Sequence, residues 1–391
     1  MHQVQVRSEP VAAIRSDLRA IFVSLELSRS KWLVTSLSPG AGERMSRHVV
    51  DGGDLAGLLA LLRRLQEKAQ ARTGELFPVL TMQEAGLDGF WLHWALVKEG
   101  IESHVVDPAS IAMPRRRRRP KTDRLDGESM LRAFLAYKRG EPRVCSMVRV
   151  PTPEQEDERR LSRERRTLTH ERIQIVNRIK GLLCSQGITG YQPLRCNRRK
   201  KLDALETGDG RAMGAHLKAQ ISRDLDRLEL LIEQIRQVET ERDALLTAAK
   251  DKACGDQPAP MAMLLELVSI GPELASVLWH EGLFRHFDNR RQLASYAGLA
   301  ATPWQSGKID QEQGISKAGN PRLRTALIQL SWLWLRNQPD SELSKWFRER
   351  ATEDARRKKS FIVALARKLL VALWKYITRG VVIEGAVLKT V

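Results

Sequence analysis

Four acidic side chains, Glu26, Glu84, Asp123 and Asp126, have the types and placement to do chemistry together. Hard divalent cations such as Mg2+ or Mn2+ take oxygen ligands. Cutting a phosphodiester with two of them requires several carboxylates that converge on the attacking and leaving oxygens. Asp123 and Asp126 stand three residues apart, which sets both on one face of a helix. Taken singly, each acid has an ordinary reading: the aspartates complement a helix N-terminus, and the glutamates are surface acids. As a set, the four form a candidate metal site. Just upstream lie Arg115, Arg116, Arg117, Arg118 and Arg119, then Lys121, with Arg124 inside the acidic motif. Such a run alone is usually a solvated basic loop; beside Asp123 it is placed to hold backbone phosphates near the metals.

A second constellation lies toward the C-terminus. Ser306 sits between a glutamine and a glycine, on what is expected to be an exposed loop, and no His or Lys base stands at a telling distance, so an ordinary turn serine is the plain reading. Asn320 suits an N-cap and Pro321 a first helical turn, so Lys317, Arg322 and Arg324 gather at a helix N-terminus that suits an anion. Leu267 to Ala275 has the look of a helix-hairpin-helix element, with Ser269 where a glycine is often found.

The elements that must position these residues follow from periodicity. Ile21–Leu27, Trp32–Leu37 and Met45–Val50 predict three strands of a meander. Leu55, Leu58, Leu59, Leu62 and Leu65 predict a helix. A strand over Phe77–Met82, a helix over Phe90–Lys98, a strand over Ser103–Val106 and a helix over Asp123–Tyr137 follow. This order is that of a ribonuclease-H-like (RuvC-like) fold, an α/β domain with a mixed sheet. It sets Glu26 at the end of the first strand, Glu84 just after the fourth, and the aspartates at the start of a late helix. Residues 1–18 are expected to form a flexible arm, 19–150 the acidic domain, 151–250 a charged helical hairpin with a coiled-coil seam or bundle face at Leu225, Leu228, Ile232 and Ile235, and 251–391 a helical domain holding most of the tryptophans.

The chain has 391 residues, enough for two or three cores. A formal net charge of +18 points to a polyanionic partner, of which nucleic acid is the commonest. The four cysteines show no C-x-x-C pair, which argues against zinc ribbons and disulfide frameworks. With no apolar leader and charges interrupting Phe361–Ile377, the expectation is a cytoplasmic protein with no membrane partner.

The chain resembles the insertion sequence 110 family of transposases, relatives of the Piv-type DNA invertases. The resemblance covers nearly all of residues 20–335, and its marks are Gln83-Glu84-Ala85-Gly86, Lys121-Thr122-Asp123-Arg124-Leu125-Asp126, Gly298-Leu299, Gln305-Ser306-Gly307 and Ser316 through Arg324. The resemblance implies a RuvC-like domain with a four-carboxylate set, a coiled-coil middle, and a transposase domain whose serine attacks DNA covalently. Carried across, the acids are Glu26, Glu84, Asp123 and Asp126, and the nucleophile is Ser306. It further implies donor and target DNA as substrates, guidance by a noncoding RNA of the element, and a homo-oligomer, dimer or tetramer, in which another subunit's carboxylates complete the serine. One departure stands out: the family's first acid is aspartate, and here it is Glu26, whose extra methylene displaces the carboxylate by roughly 1.5 Å. Two rivals remain open, a RuvC-like nuclease that uses water and a non-catalytic nucleic-acid-binding relative.

Overall fold

A computed structural model describes residues 19–42, 44–86, 89–111, 123–141, 144–251, 259–306, 309–354 and 357–389. The chain divides into two compact units, 1–151 and 152–391.

In the first unit, strand β1 (Ile21–Leu27) pairs antiparallel with β2 (Lys31–Leu37), and β2 with β3 (Ser46–Asp51). Helix α1 (Leu55–Thr73) follows, then β4 (Val79–Glu84), which pairs parallel to β1. Helix α2 (Trp91–Lys98) leads to β5 (Glu102–Val106), parallel to β4, and α3 (Asp123–Lys138) closes the unit. The sheet order is β3-β2-β1-β4-β5, a mixed sheet compatible with a RuvC-like fold. Pro78 lies outside β4, where its carbonyl accepts the Ile21 N–H at 2.9 Å and its missing N–H costs nothing.

Strand alternation sorts the side chains into two layers. Ile21, Val23, Leu25 and Val79 join Leu58, Leu61, Leu62 and Leu65 of α1 and Leu92 and Leu96 of α2. Phe22, Leu80 and Met82 point the other way and pack with Met130, Leu131 and Phe134 of α3. Helix α1 begins at Asp54, whose carboxylate accepts the Gly57 N–H at 2.8 Å, and ends at Gly74 in the left-handed region (φ +79°).

The second unit opens with two long helices, α4 (Pro153–Cys184) and α6 (Ala215–Asp251), joined through short α5 (Arg198–Asp203). Thr152 and Gln155 form a reciprocal capping box at the start of α4. Arg178 bonds Asp224 and Arg165 bonds Glu239, so the helices run antiparallel. The apolar seam of α6 is covered within the chain: Leu225 and Leu228 pack with Ile175 and Ile179 of α4.

Short α7 (Pro260–Glu266) and α8 (Pro272–Leu278), a π-helical turn at Trp279–Leu283, and α9 (Arg290–Tyr296) come next. Here the expectation of a wholly helical C-terminal region fails: β6 (Ala301–Ser306) and β7 (Ile309–Ile315) form a hairpin. Helices α10 (Pro321–Asn337), α11 (Glu342–Glu353) and α12 (Lys358–Arg379) complete the unit, around a core containing Leu323, Leu327, Leu330, Trp334, Leu369 and Leu373. Among the described residues no helix is long and apolar enough to cross a membrane.

Candidate functional site

The β1–β4 register pairs Leu25 with Gln83, and one residue further sets Glu26 beside Glu84 at the ends of neighbouring parallel strands. Phe22 and Ser24 face α3, so Glu26, two residues on, shares that face; Glu84 shares it with Leu80 and Met82. Glu26 is half-buried and Glu84 exposed.

Three contacts fix α3 over this face. The Ser24 hydroxyl donates to the Gly127 carbonyl at 2.8 Å, Arg47 pairs with Glu128, and Lys138 at the far end of the helix bonds Glu102 at the start of β5. The helix therefore runs against the direction of β1, and its first turn, bearing Asp123 and Asp126, lies toward the strand ends that carry Glu26 and Glu84. Gly127 permits the close approach: a Cβ there would lie 2.7 Å from Thr35 Oγ1.

The side chains of Asp123, Arg124 and Asp126 lie outside the described residues, as do Arg115, Arg116, Arg117, Arg118, Arg119 and Lys121. Among the described side chains no three acidic, histidine or cysteine groups are grouped to hold a metal. Carboxylate oxygens are nonetheless the donors that a hard divalent cation takes, and the backbone brings the four acid-bearing positions to one end of one sheet face.

In the second unit, Ser306 ends β6 and pairs with Ile309 at the closing end of the hairpin, so it lies on a strand rather than the expected loop. Its side chain lies outside the described residues. The hairpin is anchored where its flanks cross. The N–H groups of Ser316, Lys317 and Asn320 donate to the carbonyls of Ala300, Gly298 and Tyr296 at 2.9, 3.2 and 2.7 Å. Only glycine fits at this crossing: a Cβ on Gly319 (φ +100°) would lie 2.2 Å from the Tyr296 carbonyl oxygen, and one on Gly298 (φ +65°) 2.3 Å from that of Ala318.

Of the four residues expected to form an anion site at α10, two are bound to the fold. Asn320 Oδ1 accepts the N–H groups of Arg322 and Leu323 at 3.0 and 3.2 Å, a true N-cap, while its Nδ2 donates to the Glu281 carboxylate at 3.0 Å. Arg324 Nη1 donates to the Lys317 carbonyl at 2.9 Å. Lys317 and Arg322 remain exposed.

Glu281, on the π-helical turn, is the centre of a buried polar cluster that spacing does not reveal. It is 4% exposed. Arg163 of α4 donates to both its carboxylate oxygens at 2.9 and 3.2 Å, Tyr296 Oη donates to its carbonyl at 2.8 Å, and Arg322 stands 4.0 Å away. Burial pushes the Glu281 carboxyl upward, but the bonds from Arg163 and Asn320 outweigh it and hold the group below the usual glutamate range. Beside it, buried Arg159 lies over the Phe284 ring at 4.4 Å, with Nε and Nη2 making no hydrogen bond.

The family model described as the Transposase IS116/IS110/IS902 family matches residues 261–345, the segment from α7 into α11 that includes Glu281, Ser306 and Asn320. Over 390 residues, 98% of each chain, the protein is 67% identical to the provisionally named transposase y4rJ of Sinorhizobium fredii (strain NBRC 101917 / NGR234). The chain belongs to the IS110/IS116 family of transposases. It is also 27% identical over 294 residues to the transposase for insertion sequence element IS1111A of Coxiella burnetii, covering 73% of this chain and 75% of the relative. A similar match, 27% over 239 residues, reaches the transposase for IS1328 of Yersinia enterocolitica, with 59% of this chain and 66% of the relative covered.

Within this transposase, Gly127, which lets α3 approach β2, and Glu281, which joins α4 to the start of α10, are structural positions that motif reading passes over. The available signals were weak: a glycine inside a helical pattern directly after Asp126, and one acid between His280 and Gly282 in a largely apolar stretch. Gly282 has its own packing role, since a Cβ there would lie 2.7 Å from Leu323 Cδ2 on α10.

Proposed function

We propose that this transposase cuts and rejoins DNA of an insertion sequence, using a ribonuclease-H-like acid set in its first unit and a nucleophilic serine in its second. The observation that carries the reading is the register that sets Glu26 beside Glu84 on the sheet face covered by α3. Glu26, Glu84, Asp123 and Asp126 would hold Mg2+ or Mn2+, which when bound neutralises charge developing on a phosphodiester. Ser306 Oγ bonds to phosphorus and gives up its proton. The bond from phosphorus to one strand end breaks, and the departing oxygen takes up a proton to leave as a hydroxyl. The phosphoserine link keeps the bond energy, so the hydroxyl of an incoming strand reverses the step without ATP. The chain accordingly has no G-x-x-x-x-G-K-[ST] loop.

Arg115 to Arg119, Lys121 and Arg124, with Lys317 and Arg322 in the second unit, position the backbone by its phosphates. Donor and target DNA are the substrates, an element-encoded RNA the guide, and a dimer or tetramer the active form. The test is incubation with supercoiled donor and target DNA, Mg2+ and the RNA that copurifies. A covalent protein–DNA adduct is expected, lost in Ser306→Ala, together with recombinants that disappear in Asp123→Ala and on chelation. Cutting that persists in Ser306→Ala would mean that water is the nucleophile. An Asp123→Ala protein with unchanged products would remove the acid set from the reaction.

A further inference from the structure

The β2–β3 connection, strand β3 and the second half of α1 line a cavity of about 360 Å³. This lies within the range of roughly 300–1,000 Å³ typical of pockets that hold small ligands or parts of larger ones. Its charged lining is entirely basic: Arg44, Lys68 and Arg72, with His48 on β3. Arg64 of α1 adds its field at His48. Among the described residues no carboxylate lines the cavity, and neither these cations nor Arg64 form an ion pair. Elsewhere in the described residues a basic side chain can be balanced by acids; Arg199 bonds both Asp226 and Glu229. His48 Nε2 is buried and hydrogen-bonds nothing in the protein. Burial holds the His48 imidazole below its usual range, and Lys68 and Arg64 lower it further. Ser46 adds a hydroxyl and Leu65 an apolar wall.

Like charges gathered without a counter-ion repel one another, and a buried ring nitrogen without a partner costs about 1–3 kcal/mol. One group with several anionic oxygens relieves the repulsion, and phosphate is the group that Arg and Lys bind in nucleic acids. His48 pairs with Val34, which packs against the α1 side, whereas Glu26 and Glu84 face α3. A phosphate in this cavity is therefore not the one being cut.

We infer that the cavity between the β2–β3 connection, β3 and α1, lined by Arg44, His48, Lys68 and Arg72, holds a backbone phosphate of nucleic acid, anchoring a strand on the sheet face opposite the acid-bearing one. The inference rests on the nucleic-acid reading above and names a second place where the backbone is gripped. The test uses the full chain and a fluorescein-labelled oligonucleotide, with affinity read by anisotropy across a salt series. Lys68→Gln/Arg72→Gln, both exposed positions, is expected to weaken binding by about tenfold at low salt. It is also expected to make the slope of log K against log salt shallower by roughly two. Arg44→Gln alone should remove about one from that slope. The His48 ring resonances should move with oligonucleotide, and much less with inorganic phosphate at equal phosphate concentration. Equal movement with inorganic phosphate would make this a free-phosphate site and overturn the nucleic-acid assignment. Unchanged affinity and slope in both variants, with the unaltered chain binding well, would overturn the pocket alone. Failure of the unaltered chain to bind any nucleic acid would overturn the pocket and the proposed function together.

Discussion

The sharpest consequence of the acid-site geometry concerns Gly127. Replacing it with alanine puts a Cβ 2.7 Å from Thr35 Oγ1, about 0.7 Å short of ordinary contact at 3.4 Å. Thr35 is fully buried on β2, so it cannot swing into solvent, and α3 must lift or tilt. Two stability terms oppose each other: overpacking costs about 1–3 kcal/mol, and alanine regains about 0.5–1 kcal/mol over glycine in a helix. Gly127→Ala should therefore lose no more than about 2.5 kcal/mol, and Tm should fall by less than ~10 °C. The effect on chemistry is larger. Asp126 is the preceding residue and Asp123 lies one turn earlier, so both move with the helix, and displacements approaching 1 Å cost up to about 100-fold in rate. DNA cleavage measured well below Tm should fall roughly 10- to 100-fold in a folded protein. Thr35 Oγ1 makes no hydrogen bond, so Thr35→Ala removes the obstacle with little loss of polar contacts. The double variant Gly127→Ala/Thr35→Ala should recover most of the lost rate. A Gly127→Ala enzyme at full rate, or a double variant as slow as the single, would refute the claim that α3 positions the acids through this contact.

Three further changes test other positions. Glu281→Gln leaves Arg163 and Arg322 facing a neutral group in a buried cluster. It should cost about 2–4 kcal/mol, discounted because Arg163 is partly exposed, which a urea titration will read. Because the Glu281 carboxyl is held below its ordinary value, its contribution is present above that value and fades as pH falls through the depressed one, so the gap between Glu281→Gln and the unaltered chain should close in acid. Ser269 has φ +92°, where glycine is favoured, and its hydroxyl makes only a long 3.4 Å bond to the Leu333 carbonyl, so Ser269→Gly should raise stability by about 0.5–1 kcal/mol in thermal melts. Glu26→Asp draws the first carboxylate back by roughly 1.5 Å and should speed strand cleavage, whereas a slower enzyme would mean that the site is built around the longer side chain.

Which of these features a reader of the sequence can reach depends on where the stabilising partner lies. The first unit was legible because each strand is impressed with the layers on either side of it: Ile21, Val23 and Leu25 alternate with Phe22 and Ser24, and the leucines of α1 recur at helical spacing. The acids at Glu26 and Glu84 inherit that legibility, since strand order and alternation together decide their face. The β6–β7 hairpin has no such imprint, because a two-stranded ribbon need not alternate; with Pro303 inside it, Thr302 through Gln311 passes for loop. The α4–α6 pair was legible as a helical hairpin whose seam needs cover, but not as to which residues of α4 supply it. Periodicity records that Leu225 and Leu228 are buried, while only the three-dimensional pairing identifies Ile175 and Ile179 as their cover. Glu281 lies furthest from sequence reading. Its burial is tolerable because Arg163, more than a hundred residues earlier, and Asn320, well after it, converge on one carboxylate. A charge made affordable only by distant partners leaves no local spacing to find, and yet it ties the start of α10 to α4 and so supports the frame that carries the Ser306 hairpin.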